Sequence, residues 1–220
     1  VLDRFRAFPE FQRAYWRAFE DAITGPLVAT TFAARVDRVY SGLVSAGVGP
    51  DSPQGLKDYV AARRNYILNQ LANVAAPFAV SGPTSFSTNR NLITLSGTAP
   101  IRVATLTLNG VPVQPTWTSV TNWTVRVALQ PGVNQLVIQG WDNKGQPVGG
   151  ASATRTINFT GTVDPPQGRI IFHEIMYNPT VPGAEFVELR NLSTNTAYDL
   201  SGWRVNGLDL TLPAGTILEP

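Results

Sequence analysis

Apolar positions along this chain change period at two places, and the changes divide it into three segments. In residues 1–78 the period is helical. Pro9 and Glu10 suit a first turn, and Phe11, Tyr15, Phe19 and Ile23 then recur every four residues on one face. Gly25-Pro26 ends that helix. A second begins near Thr31, with Phe32, Val36, Val39, Tyr40 and Leu43 as its apolar positions, and closes at Gly47 to Pro50. Ser52-Pro53 reads as a cap followed by proline at the first helical position of a third helix. Leu56, Tyr59, Val60, Ile67, Leu71 and Val74 line that helix, which stops before Pro77.

From residue 79 to 161 the period becomes two. Strands are predicted over Asn91 to Leu95, Val103 to Leu108, Val111 to Trp117, Trp123 to Leu129, Val133 to Gly140 and Ser152 to Phe159. Asn109-Gly110 is the strongest short hairpin signal among the turns that separate them. Pro131-Gly132 and Asp142 to Gly145 supply two more. So many short strands in so short a stretch predict an immunoglobulin-like sandwich. Residues 162–168, rich in proline and glycine, read as a linker. In residues 169–220, strands are expected from Ile170 to Tyr177, Glu185 to Leu192, Tyr198 to Val205 and Leu208 to Leu212. Four strands leave an unpaired sheet edge, so the chain is expected to stop inside a domain. The first residue is Val1 rather than Met, and the chain is read as a piece of a longer polypeptide.

Composition fits a turn-rich β protein. Charged residues make up only 15% of the 220, well below the usual quarter, and apolar residues 43%. There is no Cys, which removes disulfides, thiolate metal sites and thiol catalysis. Net charge is +2 overall, +2 over residues 1–80, +4 over 81–160 and −4 over 161–220. No dense Lys/Arg run marks a nucleic-acid surface. Arg63-Arg64 reads as a solvated helix face. No apolar run approaches the ~20 residues of a membrane span.

Catalytic chemistry is sparse. His173 is the only His, which excludes a multi-histidine metal site and a triad needing a second base. With Glu174, Glu185 and Glu188 it suggests a divalent-ion site. However, His173 and Glu174 point to opposite faces of an extended strand, so a half-exposed His with glutamates pairing to Arg190 or Arg204 is the better expectation. The Asp142 turn has too few oxygen ligands for a calcium loop. Neither a nucleophile elbow nor a Gly-rich phosphate loop is present. Three glycosylation sequons occur, at Asn122, Asn158 and Asn191. The candidate interaction surface comprises Phe11, Tyr15, Trp16 and Phe19 on the first helix and Trp117, Trp123 and Trp141 in the sandwich. For each of them, core packing is the plainer reading.

Residues 169–220 resemble the opening of the lamin-tail family. The match runs through Ile171, Glu174 to Pro179, Glu185 to Leu189, Asn191, Asp199 to Trp203, Leu212, Pro213 and Gly215. The resemblance implies a noncatalytic immunoglobulin-like sandwich on secreted or surface bacterial proteins, with a binding or tethering role. Phe8-Pro9-Glu10-Phe11, Tyr15 and a late helix carrying Arg63 and Leu71 are similar to the helical tail of the CotH kinase-like family. That similarity implies an atypical protein kinase or spore-coat-type phosphotransferase whose nucleotide-binding residues lie upstream. The middle segment is similar to generic bacterial immunoglobulin-like linker modules.

The expected fold class is therefore multidomain α+β: a helical segment, an immunoglobulin-like β-sandwich and a partial lamin-tail-type β-sandwich. The expected function is a noncatalytic spacer and adhesion or anchoring module, extracellular or at the cell surface, with no cofactor. Its expected partners are neighbouring domains of the same polypeptide and a cell-surface protein or polysaccharide, with no nucleic acid. The alternatives are the C-terminal part of a CotH-like kinase and carbohydrate binding by the Trp-bearing sandwich.

Overall fold

A computed structural model describes residues 7–220. It forms two compact units. One gathers the helices with two short segments distant in sequence, Pro100–Arg102 and Trp117–Thr121; the other holds nearly all the strands through Pro220.

In the helical unit, α1 spans Pro9–Thr24, α2 Ala29–Ser45 and α3 Gln54–Ala72. Proline opens α1, and Gly25 closes it by donating its N–H to the Asp21 carbonyl at 2.9 Å. A Cβ on Gly25 would lie 2.9 Å from that same oxygen, which is why glycine stands there. Pro53 is the N-cap of α3 rather than its first helical residue, and Ser52 Oγ accepts the Gln54 N–H at 3.4 Å. Few helical residues are enclosed. Ile23 and Ile67 are buried, α2 buries nothing, and Arg64 Nε donates to the Ile23 carbonyl at 3.2 Å.

In the strand unit, two sheets form a sandwich-like arrangement. One has the order β1 (Ala79–Val80), β3 (Leu92–Thr98), β7 (Asn122–Ala128), β6 (Thr116–Trp117). The other has the order β2 (Ser85–Thr88), β9 (Pro147–Phe159), β8 (Gly132–Trp141), β4 (Thr105–Leu108), β5 (Val111–Val113). Alternation builds the core: Trp123, Val125 and Val127 of β7 are buried, as are Leu136 and Ile138 of β8 and Ile157 and Phe159 of β9. The Asn109-Gly110 turn forms with Leu108 opposite Val111, both turn residues having positive φ as a two-residue hairpin requires. Gly97 lies against Trp123, and a Cβ there would sit 2.1 Å from the Ala79 carbonyl oxygen, so only glycine lets β1 and the indole pack at that point.

Three small antiparallel pairs follow: β10 (Ile170–Met176) with β11 (Phe186–Asn191), β12 (Tyr198–Asp199) with β15 (Ile217–Leu218), and β13 (Arg204–Val205) with β14 (Leu210–Thr211). The expected strand from Tyr198 to Val205 is two strands, because Gly202 turns with φ +75° and the Trp203 N–H returns to the Leu200 carbonyl at 3.0 Å.

A polar junction seats this last segment on the sandwich. Asn91 Nδ2 donates to the Ala197 carbonyl at 2.7 Å, and Asn91 Oδ1 accepts the Ala197 N–H at 3.0 Å. Beside it, Ser193 Oγ donates to Asp164 Oδ2 at 3.0 Å, and Thr196 Oγ1 accepts the Asp164 N–H at 3.2 Å. Asn191 is held here too, its amide donating to the Thr196 carbonyl at 2.7 Å.

Candidate functional site

The helical face named from sequence divides into two. Phe11 and Tyr15 are each 50% exposed. Tyr15 packs edge-on against Trp16 at 5.4 Å and Phe19 at 4.7 Å between ring centroids, which makes one aromatic cluster on α1. Phe8 and Phe11 form a second edge-on pair at 6.2 Å. A groove of about 430 Å³ lies along α2 and the start of α3, lined by Val36, Val39, Tyr40, Leu43, Pro53 and Leu56. The helical unit therefore presents apolar surface of the kind that meets a partner.

The opposite side of α1 carries a feature that the sequence reading missed. Arg13 is 1% exposed, with its guanidinium 3.4 Å from the Trp117 ring centroid. It donates to the Pro100 carbonyl at 2.8 Å and to the Val120 carbonyl. One turn on, Arg17 reaches the Ile101 carbonyl at 3.5 Å, and Glu20 pairs with Arg102 at 3.0 Å. Desolvation by burial, with repulsion from Arg17, pushes the Arg13 guanidinium down to about 9, so it stays cationic at neutral pH. Burial lowers Arg17 as well, and Asp21 opposes the shift. This ladder fixes α1 onto the two short segments of its own unit.

The sandwich tryptophans do not form a ligand platform. Trp117 and Trp123 are buried, the first under Arg13 and the second at Gly97 and against Phe78, whose ring stacks at 6.3 Å. Trp141 is half-buried, its Nε1 donating to Thr107 Oγ1 at 3.0 Å. Two of the three rings named from sequence as an interaction surface, Trp117 and Trp123, are therefore enclosed, and Trp141 is partly so.

His173 is half-exposed, and the partners around it differ from the pairing expected. A bulge between Phe172 and Glu174 makes it the extra residue of β10 and brings its ring toward β11. Arg190 Nη1 lies 3.1 Å from His173 Nε2, and Nδ1 lies 3.3 Å from Glu188 Oε1. With Arg190 as donor, Nδ1 carries the hydrogen toward Glu188. Arg204 pairs with Asp209 of its own hairpin at 2.9 Å. Among the described residues no group of three or more His, Asp or Glu is placed to hold a metal ion. A cleft of about 790 Å³ lies beside β10 and β11, lined by Phe172, Leu189, Trp203, Val205 and Leu212.

No family model matches the chain, and no curated protein matches it. Among solved structures it is similar to the fibronectin(III)-like modules of CbhA from Clostridium thermocellum, at 9% identity and TM-score 0.31. That match covers 39% of this chain and 98% of the other. It is also similar to SGBP-B of the Bacteroides ovatus mixed-linkage glucan utilization locus, a structure in complex with a mixed-linkage heptasaccharide. Here identity is 22% and TM-score 0.25, over 44% of this chain and 25% of the other. Similarity this distant assigns no ligand.

Arg13 is the residue whose removal should be felt most in the helical unit. Arg13→Ala takes the donor from two carbonyls and the cation from the Trp117 face, an expected loss of about 3 kcal/mol. Urea unfolding followed by the helical circular-dichroism signal measures it. An unchanged midpoint would show that the ladder does not hold α1.

Proposed function

We propose that this chain is a noncatalytic modular region of a secreted or cell-surface bacterial protein, serving as a spacer and as an adhesion or anchoring module. Residues 79–161 are its immunoglobulin-like module, and residues 169–220 are the first half of a lamin-tail-like domain. The observation that carries the spacer reading is the junction of Asn91, Asp164, Ser193 and Thr196 with the Ala197 backbone. It spans the proline-rich stretch with two buried and two part-buried hydrogen bonds, so the two β segments behave as one stiff body. A stiff body holds whatever is attached to it at a set distance. Local bonding in the lamin-tail-like stretch supports that reading: Asp199 Oδ1 accepts the Ser201 N–H at 2.9 Å, and Ser201 Oγ accepts the Gly215 N–H at 2.8 Å. The Asp-Leu-Ser-Gly-Trp run is thereby a bonded turn.

The spacer reading is tested with trypsin. Arg169 pairs with Asp164, and its carbonyl accepts the Leu192 N–H at 2.7 Å, so the bond after it should resist cleavage while the folded chain persists. Early release of residues 170–220 from an intact sandwich would defeat the idea of a stiff body.

A second reading is favoured by the half-exposed Phe11 and Tyr15: the helices cover an apolar surface of a CotH-like kinase lobe carried elsewhere in the polypeptide. In the present chain that face should bind an apolar fluorescent dye. The double substitution Phe11→Ser with Tyr15→Ser should then cut the dye signal several-fold and keep the helical signal. Undiminished dye binding would remove the support for this reading.

A further inference from the structure

The sequence contains two Asn-Gly pairs, Asn109-Gly110 and Asn206-Gly207, both exposed and both at hairpin turns. Their side chains are held differently. Asn109 Nδ2 donates to the Gln135 carbonyl at 3.0 Å, and Asn109 Oδ1 accepts the Val137 N–H at 2.7 Å. These bonds tie its amide to β8. Among the described residues no such pair of bonds holds Asn206. Gly207 has φ +94°, and a Cβ added there would meet nothing within 4 Å. The hairpin around it is short, joined by Arg204 opposite Thr211 and Val205 opposite Leu210.

We propose that Asn206-Gly207 is a site of spontaneous covalent modification and that Asn109-Gly110 is protected from the same chemistry by its fold. The Gly207 amide nitrogen loses its proton to solvent base and attacks Cγ of Asn206. A new C–N bond forms, the side-chain nitrogen leaves as ammonia, and a cyclic imide remains. Water then opens the imide at either carbonyl, giving aspartate or isoaspartate; nothing is oxidised or reduced. Either product adds a carboxylate next to Arg204 at the rim of the cleft beside Trp203. Isoaspartate also adds a methylene to the main chain of the β13–β14 hairpin. The site thus converts chain age into a change of charge and shape at the cleft.

The test is incubation of the full chain in mildly alkaline buffer, then tryptic peptide mapping by mass spectrometry with an isoaspartate-specific methyltransferase as second readout. Asn206 should convert at least about tenfold faster than Asn109, the factor set by breaking two net hydrogen bonds. In urea the two rates should converge. Equal rates in the folded chain, no conversion at Asn206, or an undiminished preference in urea would each overturn the proposal. Asn206→Gln, whose longer side chain disfavours the ring, should abolish the isoaspartate signal from that peptide, and persistence of the signal there would equally overturn it.

Discussion

The side-chain amide of Asn91 both donates to and accepts from the backbone of Ala197, and around it lie the residues of the last segment that escape solvent. Ser193, Thr196, Ala197, Tyr198 and Leu200 are buried, whereas Phe172, Ile175, Phe186 and Tyr177 stand open. A two-stranded sheet is marginal alone in water. The last segment therefore draws support from the sandwich, through this junction and through the packing of β12 and β15 on β7. The surface pair of Arg126 with Glu219 also links the last segment to β7, but an exposed ion pair adds little beside a buried, doubly bonded amide.

The helical unit has the same economy. Its apolar stripes mostly face solvent, and its most enclosed groups include a cation. Burying Arg13 costs desolvation, and two carbonyl acceptors and the Trp117 face offset that cost. The inward side of α1 is anchored in this way, and Phe11 and Tyr15 on its other side are half-exposed. The same helix thus supplies both its own attachment and the candidate contact face.

The legible features were those with local causes. The switch from a period near four to a period of two, the Pro9 start and Gly25 stop of α1, and the Asn109-Gly110 hairpin each act through neighbours in sequence, and each is present. The features missed were polar residues with remote partners. Asn91 reads as the opening residue of a strand and Arg13 carries no signal in the helical pattern, yet their partners lie 106 and 107 residues away. Pattern alone does not name such a partner. The two-residue strands β1 and β15 are too short for a period to show, and β2 joins β9 in a parallel pairing that only the closed sandwich brings together. A strand's period does not say which face is inward, so pattern alone does not place Trp117 and Trp123 in the interior.

Hydrogen–deuterium exchange of the intact chain tests the central claim most directly. If the junction makes the β segments one stiff body, the amides of Ala197 and Leu200 exchange as slowly as those of Trp123 and Ile138 in the sandwich core. Fast exchange at Ala197 and Leu200 while Trp123 and Ile138 stay protected would show that the last segment opens independently, and the account would be wrong.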